Sequence, residues 1–296
     1  MIAFYICLAV FIFVCICYFI YIQNYGLKKT VYDISYDNLP SPFDGLKVLH
    51  LTDIHRKSFG KNQNKLISLI KNSKPDLIVV SGDIIYCYNH WYNIGYNYKK
   101  DLSKVMKIFE NIAKEYPVYY APGNHECKSG YYPNIRKALI SAGVIVLDSG
   151  YEIIKKDGSE IALLGLKDPT FWGGSNIVVE EYIQYSQKEL HEIKNKCNNL
   201  FTMLISHRPE IYKVYEGEGV DLVFTGHAHG GQWIFPIIGP VYAPQQGFFP
   251  KYTHGVHKFN KTNVLINRGM GNSSMPIRLF NRPEVVVAVL RKNKND

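Results

Sequence analysis

Residues 221–232 of the chain read DLVFTGHAHGGQ. After its first residue the run is apolar or β-branched and then breaks at Gly226, a pattern that predicts a buried strand ending in a tight turn. His227 and His229 follow the turn, and the glycines around them let the backbone approach whatever the imidazoles hold. Neutral imidazole is a common metal ligand, so the pattern indicates half of a metal site. Alone, it also fits an ordinary turn with two exposed histidines.

Four other apolar segments end in polar residues of the same kind. The predicted strands at 47–51, 76–80, 118–121 and 200–205 are followed by Asp53 and His55, by Asp83, by Asn124 and His125, and by His207. Ligands of open α/β sheets lie outside the carboxyl ends of the strands, so we expect the five loops to converge. Each fragment alone is typical of a turn or cap. Together, carboxylates, an amide oxygen and imidazoles form a ligand set without thiolate that suits Mn, Fe or Zn.

The rest of the chain predicts a single α/β domain. Hydrophobic residues make up 47% of the 296 residues and charged residues 20%, which is typical of a chain with a core and excludes a disordered one. Apolar strands alternate with segments of helical spacing, and the turn at 156–159 lies between two strands of a predicted hairpin. This order indicates one domain with mixed sheets.

The N-terminal segment is the exception. Ile2 to Ile22 carries no charge and is long enough to span a bilayer as a helix. A cleaved signal peptide is the alternative, but no Lys or Arg precedes the run and no Ala-x-Ala site follows. We therefore expect an anchor at 1–25, a polar tether at 26–45 and the main domain at 46–296. Lys28 and Lys29 follow the anchor, which favours a cytoplasmic domain under the positive-inside rule, with the extracytoplasmic side as the alternative.

The charge and the cysteines give weaker indications. A net charge of +9 fits an anionic partner or simply a solvated, lysine-rich surface. No arginine-rich tract or basic-aromatic interleaving is present, so we do not expect a nucleic-acid partner. Outside the anchor, Cys87, Cys127 and Cys197 form an odd set without framework spacing, which argues against structural disulfides and agrees with a reducing compartment.

The five motifs, in this order, resemble the signature of the calcineurin-like metallophosphoesterases. That signature runs Asp-x-His, Gly-Asp, Gly-Asn-His-Asp/Glu, His and Gly-His-x-His, and the resemblance covers the chain from about Leu46 onward. The segments at 230–232, 267–271, 276–278 and 283–284 look like a membrane-associated bacterial subgroup, some of whose members are similar to UDP-2,3-diacylglucosamine pyrophosphatases. The resemblance implies a four-layer α/β/β/α sandwich of two mixed sheets, preceded here by one transmembrane helix.

The resemblance also implies roles for the motif residues. One metal site would comprise Asp53, His55, Asp83 and His229, and the second would comprise Asp83, Asn124, His207 and His227. Two cations a few ångströms apart need a shared carboxylate, here Asp83, and together they polarise a phosphoryl oxygen. His125 would be the general acid, held near the leaving oxygen. Protein phosphatases of the superfamily carry an Asp where this chain has Tyr86, which disfavours a phosphoprotein substrate.

We therefore expect a membrane-anchored phosphodiester or pyrophosphate hydrolase with two divalent metal ions, Mn²⁺ foremost. A phosphorylated, lipid-linked substrate such as UDP-2,3-diacylglucosamine is the expectation, although no substrate-binding residue is indicated. The alternatives are a catalytically dead metal-binding scaffold, or a nuclease or phosphomonoesterase of the same fold. The apolar segments at 233–240 and 247–250 predict either a membrane or ligand contact or the packing of a long loop.

Overall fold

The fold was analysed in a computed structural model that describes residues 1–87, 98–174, 179–197, 199–273 and 275–293. The strands in these ranges are β1 (Lys28–Tyr36), β2 (Lys47–Leu51), β3 (Leu77–Val80), β4 (Val118–Tyr120), β5 (Ile145–Val146), β6 (Gly150–Lys156), β7 (Ser159–Gly165), β8 (Phe201–Ile205), β9 (Leu222–Thr225), β10 (Ile234–Phe235), β11 (Gly239–Pro240), β12 (Tyr242–Ala243), β13 (Gly247–Phe248), β14 (Gly255–Phe259), β15 (Thr262–Ile266) and β16 (Glu284–Lys292). The α-helices are α1 (Ile2–Tyr25), α2 (Asn64–Ser73), α3 (Tyr98–Ile112), α4 (Asn124–Lys128), α5 (Tyr132–Ser141), α6 (Thr170–Gly173), α7 (Val179–Lys194) and α8 (Tyr212–Gly217).

Two six-stranded mixed sheets form the centre of the domain. The first has the strand order β1-β16-β2-β3-β4-β5 and the second the order β14-β15-β9-β8-β7-β6. Strands β2 to β5 are parallel neighbours, as are β7, β8, β9 and β15. The carboxyl ends of parallel strands meet at one edge of a sheet, so the loops after these strands lie together.

Three hydrophobic cores separate four layers. Apolar residues of the two sheets, such as Val79 and Phe224, pack against each other in the central core. Phe109 of α3 belongs to the core that covers the outer face of the first sheet, with α2 and α5. Leu190 of α7 and Tyr215 of α8 belong to the core over the second sheet. The predicted four-layer α/β/β/α sandwich is confirmed.

The tether predicted at 26–45 is wrong for residues 28–36. Lys28 to Tyr36 forms β1, which pairs in parallel with all of β16 at the edge of the first sheet. Only Ile34 and Tyr36 of this strand are buried, because its remaining side chains lie on the exposed side or at the rim. Charged and polar residues in an edge strand weaken the apolar alternation by which strands are predicted.

An edge strand of the second sheet was missed for the same reason. Strand β14 carries His257 and Lys258 and was not predicted; it pairs antiparallel with β15. The apolar segments at 233–240 and 247–250 belong to two short ribbons, β10–β11 and β12–β13. Residues 86–98 are rich in aromatic residues and Asn, a composition that predicts a loop, but residues 88–97 lie outside the described part of the chain.

Helix α1 is long and apolar enough to cross a membrane, judged by length and composition, and its apolar window is not buried in the protein. Its last turn is different, because Gln23 and Asn24 are buried. The Phe19 ring lies 5.3 Å from the Phe280 ring, and Asn24 Oδ1 accepts a hydrogen bond from the backbone N–H of Arg278 at 3.1 Å. The end of the predicted anchor is thus packed into the domain.

Candidate metal centre

The five loops converge as the sequence predicts. Strands β2, β3 and β4 of the first sheet and β8 and β9 of the second deliver the polar residues to one place between the sheets. In the described ranges, three overlapping groups have ligand atoms within 4.8 Å of one another, namely Asp53, His55 and His229; His55, Asp83 and His125; and Asp83, His207 and His227. Asn124 lies beside them and is buried. All eight predicted residues are therefore brought to this centre or its border.

Asp83 lies between the two halves of the centre. Its Oδ2 atom is 3.1 Å from His207 Nε2 on one side and 3.8 Å from His55 Nε2 on the other. Asp53 Oδ1 is 3.2 Å from His229 Nε2 and 3.6 Å from His55 Nε2. Asp83 Oδ2 thus faces histidines on both sides, which is the arrangement that a bridging ligand requires.

The donor atoms fit cations. Asp53 Oδ1, Asp83 Oδ2 and Asn124 Oδ1 are buried and have no hydrogen-bond partner. A buried polar atom without a partner costs about 1–3 kcal/mol, and more when it is charged. Three such oxygens on residues of a cluster with several imidazoles match the oxygen and nitrogen ligands that divalent metals take.

Second hydrogen bonds fix the histidine tautomers. Nδ1 of His55 is 3.0 Å from the carbonyl oxygen of Ile85, and Nδ1 of His207 is 2.6 Å from that of Ser81. A carbonyl accepts only, so each Nδ1 carries a proton, and in the neutral form of each ring Nε2 has a lone pair for the centre. These histidines are oriented as metal ligands commonly are.

Burial and the carboxylates set the protonation of the site. Burial lowers the pKa of His55 to about 4, and it also lowers the pKa of His227 and His229. Burial opposes a charge on His207 too, but Asp83 outweighs it and raises the pKa of His207 to about 10. Most of the imidazoles are therefore neutral and able to bind metal, and the His207–Asp83 contact marks a position where a cation would replace a proton.

The backbone at the site lies in the left-handed region. The φ angles of Asp53, His55, Asp83, His227 and His229 are 49°, 46°, 54°, 62° and 48°. Such conformations cost about 1–3 kcal/mol each and persist only when the surroundings enforce them. Gly226 permits the close packing, since a Cβ there would lie 2.3 Å from Asp53 Oδ2. The sequence signal for this crowding is the glycine before His227.

Residues 46–231 match the family described as calcineurin-like phosphoesterase. The chain belongs to this family. It is 28% identical over 283 residues to the uncharacterized metallophosphoesterase YkuE of Bacillus subtilis, covering 92% of this chain and 88% of YkuE. It is 29% identical over 248 residues to the phosphodiesterase YaeI of Escherichia coli, covering 82% of each chain. Among solved structures, it is similar to the NAD nucleotidase NadN of Haemophilus influenzae, at 18% identity and a TM-score of 0.45 over 76% of this chain and 45% of NadN.

The family identifies the protein as a metal-dependent hydrolase of phosphoesters, and the predicted family is confirmed. The individual ligand and acid roles of the eight residues stay predictions. Around them lie further residues of this phosphoesterase that the sequence analysis did not single out. They determine how the predicted residues are held.

Glu126 braces the loop that carries Asp83. Its buried carboxylate accepts hydrogen bonds from the backbone N–H groups of Asp83, Ile84 and Gly123, each at 2.8 Å. Burial raises the pKa of Glu126 to about 7. The residue stands in the Gly-Asn-His-Glu motif quoted above, so a sequence signal existed, but nothing in the motif indicates which groups the carboxylate contacts.

A buried ion pair lies behind His207. Arg208 Nε is 2.7 Å from Asp168 Oδ2, and both side chains are almost fully buried. The Arg208 guanidinium also lies 4.4 Å from the centre of the Tyr182 ring. Arg208 is the next residue after His207, so this pair fixes the loop that presents the histidine. Asp168 follows β7 and has no neighbouring motif that marks it.

Gln245 is a third residue without a sequence signal. Its Oε1 atom is 2.6 Å from His227 Nε2. An amide oxygen only accepts, so Nε2 of His227 carries the proton and Nδ1, which is 3.1 Å from His207 Nε2, faces the centre with its lone pair. Gln245 lies in the turn between β12 and β13, just before the apolar segment at 247–250.

A cleft of about 450 Å³ opens beside the metal centre. His55 forms one part of its wall, and Tyr25, from the end of α1, forms another. The basic residues Arg56, Lys57 and Lys104 also line it. The cleft is thus positively charged, adjoins the candidate ligands and includes a residue of the apolar N-terminal helix.

Proposed function

We propose that this protein hydrolyses a phosphodiester or pyrophosphate bond at two divalent metal ions, Mn²⁺ foremost and Fe or Zn as alternatives. The observation that carries the proposal is Asp83 Oδ2, an unpartnered buried oxygen that faces both halves of the centre. Asp53, His55 and His229 would complete one site with Asp83. Asn124, His207 and His227 would complete the other.

When bound, the two cations supply charge stabilisation at the phosphoryl oxygens and lower the pKa of a water molecule. The proton that the leaving oxygen needs would come from a side chain of the protein. His125 would donate its Nε2 proton to the leaving oxygen, and its Nε2 lies 3.8 Å from Asp83 Oδ2 at the border of the centre. The backbone N–H of His125 donates to Asp83 Oδ1 at 2.9 Å, which ties the acid to the shared carboxylate.

We further propose that α1 anchors the protein in a membrane, with the catalytic domain on the cytoplasmic side as Lys28 and Lys29 indicate. Exposed apolar side chains on the two ribbons support a bilayer contact: Ile237, Ile238, Phe248 and Phe249. The β10–β11 ribbon is linked to α1 by aromatic contacts, because the Phe280 ring lies 5.3 Å from Phe19 of the helix and 6.3 Å from Phe235 of the ribbon.

The anchor and the cleft together favour a lipid-linked substrate. Tyr25 lies at the end of the apolar helix and lines the cleft beside His55, so a headgroup near the bilayer surface would reach the centre. Confinement at the bilayer raises the effective concentration of such a substrate. The phosphodiesterase name of YaeI agrees with this bond type. UDP-2,3-diacylglucosamine is our first candidate.

Two experiments test the proposal. Asp83→Ala should lose both metal and hydrolysis of bis(p-nitrophenyl) phosphate, whereas the exposed-site control Asp37→Ala should keep both. Metal content is measured by mass spectrometry after loading with Mn²⁺. An Asp83→Ala protein that keeps two metal ions and full activity would exclude the bridging role.

The second experiment is a rate panel with Mn²⁺. It compares UDP-2,3-diacylglucosamine, phospholipids, cyclic nucleotides, a phosphopeptide and single-stranded DNA. We expect the lipid-linked diphosphate to turn over fastest. Faster hydrolysis of a soluble nucleotide or of DNA would exclude the lipid substrate and leave the phosphoesterase chemistry in place.

A further inference from the structure

The last turn of α1 is built into the wall of the active-site cleft. Asn24 Oδ1 accepts hydrogen bonds from the backbone N–H of Arg278 at 3.1 Å and from Asn272 Nδ2 at 3.3 Å. Asn24 Nδ2 in turn donates to the carbonyl of Ile20 at 2.8 Å. The end of the helix is therefore held to the loop that carries Asn272, and both contribute to the cleft through Tyr25 and Asn272.

Lys57 connects these two walls. Its Nζ donates to Asn272 Oδ1 at 2.7 Å and lies 5.0 Å from the centre of the Tyr25 ring. Asn272 is thus contacted from both sides, by Asn24 of the helix and by Lys57. An ammonium has three donors, and one hydrogen bond to Asn272 leaves others for a ligand in the cleft. Lys57 stands two residues after His55, so the ammonium and the metal centre lie on the same loop.

The charge around Lys57 is not balanced by acids. Arg56 and Lys104, which also line the cleft, both lie near Asp101, at 3.3 and 3.9 Å. Among the described residues, no carboxylate lies within 4.0 Å of Lys57 Nζ. Arg278, buried behind this region, donates to the backbone carbonyls of Gly271 and Arg268. It is a second cation that has no ion pair with a carboxylate among the described residues. An anion in the cleft would satisfy this charge.

We propose that Lys57, positioned by Asn272 and Tyr25, forms an anion subsite that binds the phosphoryl group next to the one that is attacked. This inference rests on the proposed function and specifies its substrate class: a diphosphate diester is held by its second phosphate, and a monophosphate diester leaves the subsite unused. The anchor helix then contributes directly to specificity, because Asn24 positions Asn272 and Tyr25 supports the Lys57 ammonium.

The test uses the full-length, Mn²⁺-loaded protein in nanodiscs and two substrates, UDP-2,3-diacylglucosamine and bis(p-nitrophenyl) phosphate. For Lys57→Met we expect the KM of the diphosphate to rise roughly 10- to 100-fold, the effect of losing a hydrogen bond to a charged group, with kcat little changed. The KM of the monophosphate diester should stay the same. Lys57→Arg should restore part of the affinity for the diphosphate.

Lys104→Met is the matched control, since it removes a positive charge from the same cleft that has an acidic neighbour. It should change the KM of the diphosphate much less than Lys57→Met. Equal effects of the two variants, or an equal rise of both substrates' KM in Lys57→Met, would overturn the subsite. A wild-type protein that hydrolyses neither substrate would instead contradict the proposed function.

The role of the helix is tested by a double-mutant cycle. Asn24→Ala should raise the KM of the diphosphate, and the effect should be much smaller in the Lys57→Met background, because both variants act on one subsite. Fully additive effects would show that Asn24 has only a structural role at the helix end. Unchanged hydrolysis of the monophosphate diester shows that the variants are folded.

Discussion

The Nδ1 atom of His125 accepts a hydrogen bond from the backbone N–H of Cys87 at 2.9 Å. A backbone N–H only donates, so a neutral His125 must carry its proton on Nε2, the atom that faces the metal centre. The Tyr86 ring stacks on the imidazole at 4.8 Å and holds its plane. At the position where protein phosphatases carry an Asp, this chain thus has Tyr86, which packs against His125. The backbone N–H of Cys87 orients the imidazole instead.

We predict that His125→Ala retains its metal ions but loses about 10²- to 10⁴-fold in kcat, the usual contribution of a general acid. The reason is that the Nε2–H is positioned to donate a proton and is not needed to hold a cation. Metal content and the rate with bis(p-nitrophenyl) phosphate are measured on the same sample. The exposed His191→Ala serves as the control and should change neither quantity. Loss of metal from His125→Ala would show that His125 is a ligand.

Gln245→Leu should weaken metal binding about 10- to 100-fold, as the loss of a group that orients a metal-binding histidine commonly does. Without the Gln245 oxygen, His227 is free to place its proton on Nδ1, the atom that faces the centre. Affinity is measured by calorimetric titration of the metal-free protein with Mn²⁺. Gln187→Leu, on an exposed face of α7, should titrate like the wild type. An unaltered affinity of Gln245→Leu for Mn²⁺ would show that Gln245 does not orient His227 for metal binding.

Asp168→Ala should lower the free energy of unfolding by about 3–5 kcal/mol, because it removes the carboxylate that contacts both Nε and Nη2 of the buried Arg208 guanidinium and leaves only the contact with Glu210. The comparison is Asp33→Ala, which breaks the exposed pair with Arg291 and should cost about 0–1 kcal/mol. Denaturant unfolding in detergent measures both. If Asp168→Ala were as mild as Asp33→Ala, the pair would not be the support of the His207 loop that we infer.

Phe248→Trp should add fluorescence that is quenched in nanodiscs whose lipids carry brominated acyl chains. Phe248 is exposed on a ribbon that we propose to face the bilayer, so the new indole would lie among the acyl chains. The matched variant is Ile140→Trp, at an exposed position on α5, whose added fluorescence should not be quenched. Equal quenching of the two additions would place the ribbon away from the membrane.

The central strands and the metal-site candidates could be predicted from the sequence because their signals are local. An apolar run such as 221–225 indicates a buried strand, and the residues that carry the chemistry stand directly after it. Helix α1 was also predictable, since length and absence of charge suffice. These features depend on residues that are neighbours in the chain.

Other features depend on pairs of residues far apart in the sequence. Strand β1 is ordered by pairing with β16, from Lys28 opposite Glu284 to Tyr36 opposite Lys292. Because it is an edge strand with polar side chains, it lacks the apolar alternation by which strands are predicted. Gln245 contacts His227 through a turn whose path only the folded chain determines. The same is true of Asn24 and Arg278, which are 254 residues apart. The sequence by itself determined which residues are candidates for metal binding and which apolar segments form the central strands. The tertiary structure alone decided which groups orient them, because a hydrogen bond between distant segments leaves no periodic pattern in either one.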